Sequence, residues 1–551
     1  MTHRTPLFAF FAAAVLASSL APCASHAQAA APSDPAADFR TSSRCMVCHN
    51  NLKTSTGEDV SIGFEWRASI MANSARDPYW QGSVRRETLD HPSASVAIQN
   101  ECAVCHMPAQ HFIDTDEGHP TDVLSRLPLK LDSNADAAAA DGVTCTVCHQ
   151  IQSTGLGTPA TYNGNVAVAG PAQHPRIVYG PYLADPVHVA LMHTSATGYT
   201  PTQAAHIRDA GLCGSCHTLY TPTLGPDGKQ IGRFPEQMPY IEWLHSDYRD
   251  KQTCQQCHMP AVKGAVKIAS LFAEPRDGVH QHTFTGANFL MEDMLNTHHD
   301  ELAVAALPTE LAAEAARTKA FLQTQAAHVS LTPLQLAGNN LTFAVRVENL
   351  TGHKLPTAYP SRRAWLHVTV TAANGSVIFE SGKLNPDGSI VGNVNDTDPT
   401  RYSPHYTTIT APDQVQIFEP ILGDSADHVT TGLLTATHYL KDNRILPTGF
   451  DKQTATPDIA VVGKALADPD FTAGSATTHY AIPASATQGP FRVAVELVYQ
   501  PIGFRWAHNL APYQAAEPQR FVGYYKQAAA QSALVLAHAE ATAPPTAAAG
   551  N

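Results

Sequence analysis

Five stretches of this 551-residue chain share one pattern, Cys-x-x-Cys-His: Cys45–His49, Cys102–His106, Cys145–His149, Cys213–His217 and Cys254–His258. Two thiols at this spacing reach the two vinyl groups of one porphyrin and form thioethers. The histidine that follows then lies under the ring, where its imidazole binds iron from the proximal side. The pattern reads as attachment of c-type haem (heme c), five per chain. The covalent anchors are Cys45, Cys48, Cys102, Cys105, Cys145, Cys148, Cys213, Cys216, Cys254 and Cys257, and the proximal iron ligands are His49, His106, His149, His217 and His258. Zinc sites pair such cysteine pairs without a fixed histidine after each. A redox dithiol would not recur five times. Ten of the 11 cysteines lie in these motifs, and the eleventh is Cys23.

Residues 1–27 read as a cleaved signal peptide: basic Thr2-His3-Arg4, an apolar run from Leu7 to Ala21, and a small-residue cleavage site at Ser25-His26-Ala27. Cys23 follows Leu20-Ala21-Pro22, which suggests a lipoprotein cysteine, but Pro directly before the cut fits that poorly. No later stretch is long enough to be a transmembrane segment. The expectation is an exported protein, periplasmic or extracellular, the side on which bacteria attach these haems. Every cysteine left after cleavage is then committed to a thioether, with none for a disulfide. The formal net charge is −13, and −14 once Arg4 leaves with the signal. This acidity excludes nucleic acid and favours neutral or basic redox protein partners, an electron donor and an acceptor.

The elements that must position these residues fall into two textures. After an Ala/Pro/Asp linker (residues 28–40), residues 41–328 form the haem region, where 40 Pro and 34 Gly in the chain suit a loop-rich fold with some helix. First cysteines are 57, 43, 68 and 41 residues apart, so there is no strict repeat. Two short echoes occur: Cys-His-Met-Pro-Ala at Cys105–Ala109 and Cys257–Ala261, and Glu-Trp-x-x-Ser at Glu65–Ser69 and Glu242–Ser246. Leu302, Ala305, Leu311, Ala315 and Phe321 predict a helix or two within residues 301–327. Beyond Val329, alternating runs predict strands at Leu341–Glu348, Trp365–Thr371, Val377–Glu380, Val415–Glu419 and Phe491–Tyr499, separated by turns such as Asn374-Gly375. Residues 329–540 therefore read as an antiparallel β-sandwich domain closed by a helix over Gln519–Ala539, with no cysteine and so no haem attachment. Residues 541–551 read as a disordered tail.

The second axial position decides the chemistry. Histidine there gives low-potential electron transfer, methionine raises the potential, and an open position permits catalysis. Of 28 histidines, 21 remain after the five proximal ligands and His3 and His26 of the signal.

The chain resembles a family of exported multihaem c-type cytochromes in which the haem domain precedes a β domain with a Thr-Gly-His-Lys-Leu-Pro-Thr loop. The likeness is carried by Trp66–Trp80, Thr200–Arg208, Leu212–Thr221, Glu236–Trp243, His282–Asn288 and Thr351–Thr357. It implies haem and electron-transfer chemistry and names no substrate. It also implies distal ligands at His282, in a His-x-Phe-x-Gly segment after the last motif, and at His206, ahead of the fourth. Related chains read Trp-x-x-Ser-x-His where this one has Trp66-Arg-Ala-Ser69-Ile-Met71, so Met71 either ligates or packs in the core. His353 sits in the Thr351–Thr357 loop, where it either ligates a haem and locks the two domains or packs between them. His193, after Met192, is a further distal candidate, with His91, His111 and His174 behind it. The resemblance extends to Arg362-Arg363, His405, Asp442-Asn-Arg444 and Phe504-Arg-Trp506, which read as propionate partners or as internal salt bridges.

Three functions fit these residues: an electron carrier, a multihaem oxidoreductase acting on a small nitrogen or sulfur compound at one open haem, and a polymer stacked haem to haem. The carrier reading is preferred over the enzyme. Every proximal site is Cys-x-x-Cys-His, no lysine replaces a proximal histidine, and no catalytic residues are assigned.

Overall fold

The computed structural model describes residues 1–2, 39–130, 136–168, 176–195 and 198–543. The expected signal peptide from residue 3 on, Cys23, the linker up to residue 38, His174 and the tail from residue 544 lie outside these residues.

The haem-motif half consists of short helices joined by long loops. Helix α1 (Ile62–Ala68) is followed by α2 (Pro78–Asp90) and α3 (Ser95–His106). Asp77 caps α2: its carboxylate accepts the Tyr79 and Trp80 N–H groups (2.8 and 3.0 Å), and Pro78 occupies the first turn, where its missing N–H costs nothing. The second motif forms the end of α3. In the first, third and fourth motifs the histidine N–H bonds back to the first cysteine carbonyl at 3.0, 3.0 and 2.9 Å. That helical turn puts both thiols on one face, as one porphyrin edge requires.

A hairpin of β1 (Leu219–Leu224) and β2 (Gln230–Gln237), which the sequence patterns do not suggest, interrupts this half. Helix α4 (Pro308–Gln325) matches the predicted helix, and its Glu310 pairs with Arg67 of α1 at 2.6 Å.

The remaining chain carries sheets whose strands pair mostly antiparallel. One sheet is built on β3 (Ala327–Leu331), β4 (Asn340–Asn349) and, later in the chain, Ser475–Pro483. The other is built on β5 (Arg363–Thr371) with Val377–Ser381, Arg492–Gln500 and Leu534–Thr542. Leu341, Phe343, Val345 and Val347 alternate inward from the first sheet, and Val493, Val495 and Leu497 do so from the second. Both sets belong to one core, in which Phe379 meets Tyr480 edge-on at 6.3 Å. The same core continues into the haem-motif half through Phe234, Met238 and the Phe289–Leu295 face, so the two halves share one apolar interior.

Two expectations are corrected. The closing helix runs only over Ala516–Ala528, and Leu534–Thr542 is a strand paired along Arg492–Gln500. The neighbouring strand's free backbone groups outweigh the helix propensity of its alanines. Phe39, placed in the linker, is buried and stacked on Phe112 at 5.2 Å.

Candidate functional site

All ten motif cysteines and all five motif histidines line one continuous cavity of about 1880 Å³. A pocket for one small ligand is about 300–1,000 Å³, so this space has room for more than one large group. Four of the five histidines donate Nδ1–H to a backbone carbonyl: His49 to Ile268 (2.6 Å), His106 to Ser74 (2.9 Å), His149 to Tyr179 (2.6 Å) and His258 to Thr285 (2.7 Å). A carbonyl only accepts, so these bonds place the proton on Nδ1 and leave the Nε2 lone pair for a metal. Trp80 of α2 stacks on His106 at 4.3 Å and holds that ring's orientation. Burial pulls the pKa of His106 and His217 down to about 4 and lowers those of His49, His149 and His258. All five are therefore neutral imidazoles at neutral pH, the form that ligates. The donor set thus fits haem iron.

Two of these rings face a second imidazole. His149 and His282 have centroids 6.4 Å apart with planes 16° from parallel, and His258 and His353 are 6.3 Å apart at 13°. A metal–imidazole bond is about 2 Å, with roughly 1 Å more to the ring centre, so two imidazoles on one iron have centroids about 6 Å apart. His282 and His353 also send Nδ1–H to carbonyls, those of His280 and Lys354, both at 3.0 Å.

The other distal candidates are placed differently. Met71 lines the cavity, and its carbonyl accepts the Val143 N–H at 3.0 Å. His206 lies off the cavity wall, with Nε2 bonded to the Ile151 carbonyl at 2.9 Å. His193 is exposed on the helix Pro186–Ser195, while Met192 beside it reaches the wall. His91 and His111 are also off the wall. His280 and His188, which sequence reasoning missed, line it. His280 sends Nδ1–H to the Met259 carbonyl, the bonding habit of the facing histidines, and its one sequence signal was its place two residues before His282.

The motifs also have an order in space. The thiols stand where the thioether sulfurs expected from the sequence would lie. Cys45 touches Cys145, Cys105 touches Cys216, and Cys213 touches Cys254. Cys148 lies near Cys216. The contacts run from first motif to third to fourth, and the fourth also meets the second and the fifth.

Beside Cys102 the wall is acidic. Burial pushes Glu236 up to about 7, aided by Glu87 and Glu101, and Tyr359 and Tyr79 adjoin the same group. Arg362 lines the cavity close to His217, His258 and His353. Its neighbours in the sequence pattern are committed elsewhere. Arg363 pairs with Asp396 at 2.7 Å, Arg505 holds the Asn395 and Asp396 carbonyls, and His405 binds Asp468 at 2.8 Å. Lys354 and Arg444 share Asp442 at 2.6 and 2.7 Å. Burial opposes ionisation of Asp442, but the two cations hold it far below the usual carboxylate range.

No family model matches this chain, and no curated protein matches it. Among solved structures, a penta-heme cytochrome c552 from Thermochromatium tepidum aligns with 92% of this chain and 100% of its own, at TM-score 0.50 and 16% identity. The two share a fold.

Proposed function

We propose that this protein is an exported pentahaem c-type cytochrome, periplasmic or extracellular, that carries electrons between redox protein partners through five covalently bound haems. The observation that carries the reading is the pair of facing imidazoles, His149/His282 and His258/His353, spaced for one iron each inside the cavity that all five motifs line. The fold shared with a penta-heme cytochrome supports it. In this reading residues 41–328 are the haem domain and residues 329–540 a β-sandwich that supplies His353 and Arg362 to the haem array.

When bound, haem c stores one electron at each iron. The ten cysteines would hold the porphyrins through thioethers. His149 with His282, and His258 with His353, would each hold one iron, an arrangement that would suit electron transfer over substrate binding. The apolar walls exclude water, and the Arg362 guanidinium suits a haem propionate. The oxidoreductase reading has one observation in its favour, the cluster of Glu87, Glu101, Glu236, Tyr79 and Tyr359 beside Cys102, since protonatable groups serve a reaction that consumes protons.

A pyridine haemochrome assay with intact mass is expected to show five haems on the mature chain. Low-temperature EPR of the oxidised protein is expected to show at least two low-spin bis-histidine haems. Four or fewer haems after full maturation would overturn the pentahaem reading. High-spin signal from every haem would overturn the ligand pairs.

A further inference from the structure

We infer that the twice-occurring Glu-Trp-x-x-Ser segment is a clamp that grips the proximal and the distal ligand segments of one haem, and that the chain uses it once for each facing histidine pair. The inference rests on the bis-histidine reading above and adds the residues that set its geometry.

In the first copy, Glu65 Oε2 accepts the backbone N–H of His282 at 2.7 Å. The adjacent Trp66 donates Nε1–H to the Val143 carbonyl at 3.0 Å, two residues ahead of Cys145. Glu65 thus holds the strand of chain bearing His282, and Trp66 the one leading into His149. In the second copy, Glu242 Oε2 accepts the N–H of Lys354, the residue after His353, at 3.1 Å. Trp243 donates Nε1–H to the Gln252 carbonyl at 2.9 Å, again two residues ahead of the first cysteine, Cys254. The serine has one role in both: Ser69 Oγ bonds the Trp66 carbonyl at 2.7 Å, and Ser246 Oγ the Trp243 carbonyl at 2.9 Å, closing the short helix that carries the Glu-Trp pair. Glu-Trp occurs nowhere else in the sequence.

The need for such a device follows from chain length. The paired histidines are 133 and 95 residues apart, and each distal one lies in a loop. A site that coordinates metal from both sides has to be held to about 0.5 Å, which loops alone do not supply. Two neighbouring side chains on one helical turn span a set distance, so gripping both segments from one dipeptide fixes the gap between the imidazoles. The gaps agree to 0.1 Å, 6.4 and 6.3 Å, although one distal histidine comes from the haem-motif half and the other from the β half. The copies differ in how the glutamate is held. Glu242 also accepts from Thr357 Oγ at 2.5 Å and faces Arg444 Nη1 at 3.1 Å, so it pins the β-half loop at two points and meets a buried cation at a third. Glu65 instead takes a second bond from the Gln281 side chain, next to His282, and feels the charge of Arg317. Glu65, Trp66, Glu242 and Trp243 are therefore positioning residues: each acts through the histidine segments it holds.

The test uses the mature holoprotein carrying Glu65→Ala, Glu65→Gln, Glu242→Ala or Glu242→Gln, with the haem count and the high-spin fraction by EPR as separate readouts. Glu65→Ala is expected to keep five haems and convert one to high spin, Glu242→Ala to convert a different one, and the double variant to convert two. The glutamine variants are expected to stay low-spin, because an amide oxygen accepts the same N–H. Alanine variants with an unchanged low-spin spectrum, or glutamine variants no better than alanine, would overturn the clamp. A wild-type count below five would instead strike the pentahaem reading, and the two failures are distinct. Where an alanine variant fails to mature, hydrogen exchange on the wild type decides: the His282 and Lys354 amides are expected to be strongly protected, and exchange at the rate of an open loop would overturn the proposal.

Discussion

The loop carrying His353 is held by a buried knot of charge, and Asp442→Asn tests how much that knot contributes. Lys354 is fully buried, and its Nζ lies 2.6 Å from Asp442 Oδ2. Arg444 meets the same carboxylate through Nε at 2.9 Å and Nη2 at 2.7 Å, and also faces Glu242. Two cations and two carboxylates balance, so removing one carboxylate leaves a buried positive charge. Asparagine has the same shape but turns an N–H₂ toward donors. Breaking a buried pair in this way costs about 3–5 kcal/mol, whereas removing both charges together is close to neutral. Asp442→Asn is therefore expected to destabilise the holoprotein by about 3–5 kcal/mol, and adding Lys354→Met to recover most of that loss. Guanidinium unfolding followed by circular dichroism measures both. A cost below about 1 kcal/mol for the single variant, or no recovery in the double, would refute the claim that this knot anchors the loop.

Two further predictions follow from the site. His353→Ala is expected to turn one haem high-spin and to raise protease cleavage between Ala306 and Val329 at least tenfold, about 1.4 kcal/mol of opening free energy; a fully low-spin spectrum would show that His353 only packs. Burial, with repulsion from Glu314, pushes Glu292 up to about 8. A carboxyl raised on folding adds stability below its unfolded pKa of about 4.5 and loses it as pH rises through the folded value. The wild type is therefore expected to lose on the order of a few kcal/mol between pH 6 and 9, and Glu292→Gln to show a flatter profile and exceed it at pH 9; parallel profiles would refute this.

Much of this protein could be read from local pattern. The five candidate attachment motifs were legible because the two cysteines and the histidine lie within five consecutive residues, and a helical turn brings them together without help from elsewhere. The strands at Leu341–Glu348, Trp365–Thr371 and Phe491–Tyr499 were legible because burial on one sheet face imposes a period of two. The Leu534–Thr542 strand was not, because alanine-rich sequence favours helix and only the edge of Arg492–Gln500 makes it extended. Likewise the short Glu-Trp-x-x-Ser echo acquired meaning only with its partners, since what both glutamates and Trp66 grip lies far along the chain.

The sequence by itself singled out the ten cysteines and five histidines to which the proposed reading gives haem attachment and proximal ligation. Tertiary structure decided which histidines face His149 and His258, which motifs are neighbours, and which charges stay inside the β half. The physical reason is range. Each candidate attachment motif is made of residues a few positions apart, whereas His149 meets His282 and His258 meets His353 only because folding closes loops of 133 and 95 residues, and no spacing rule in the sequence encodes that closure.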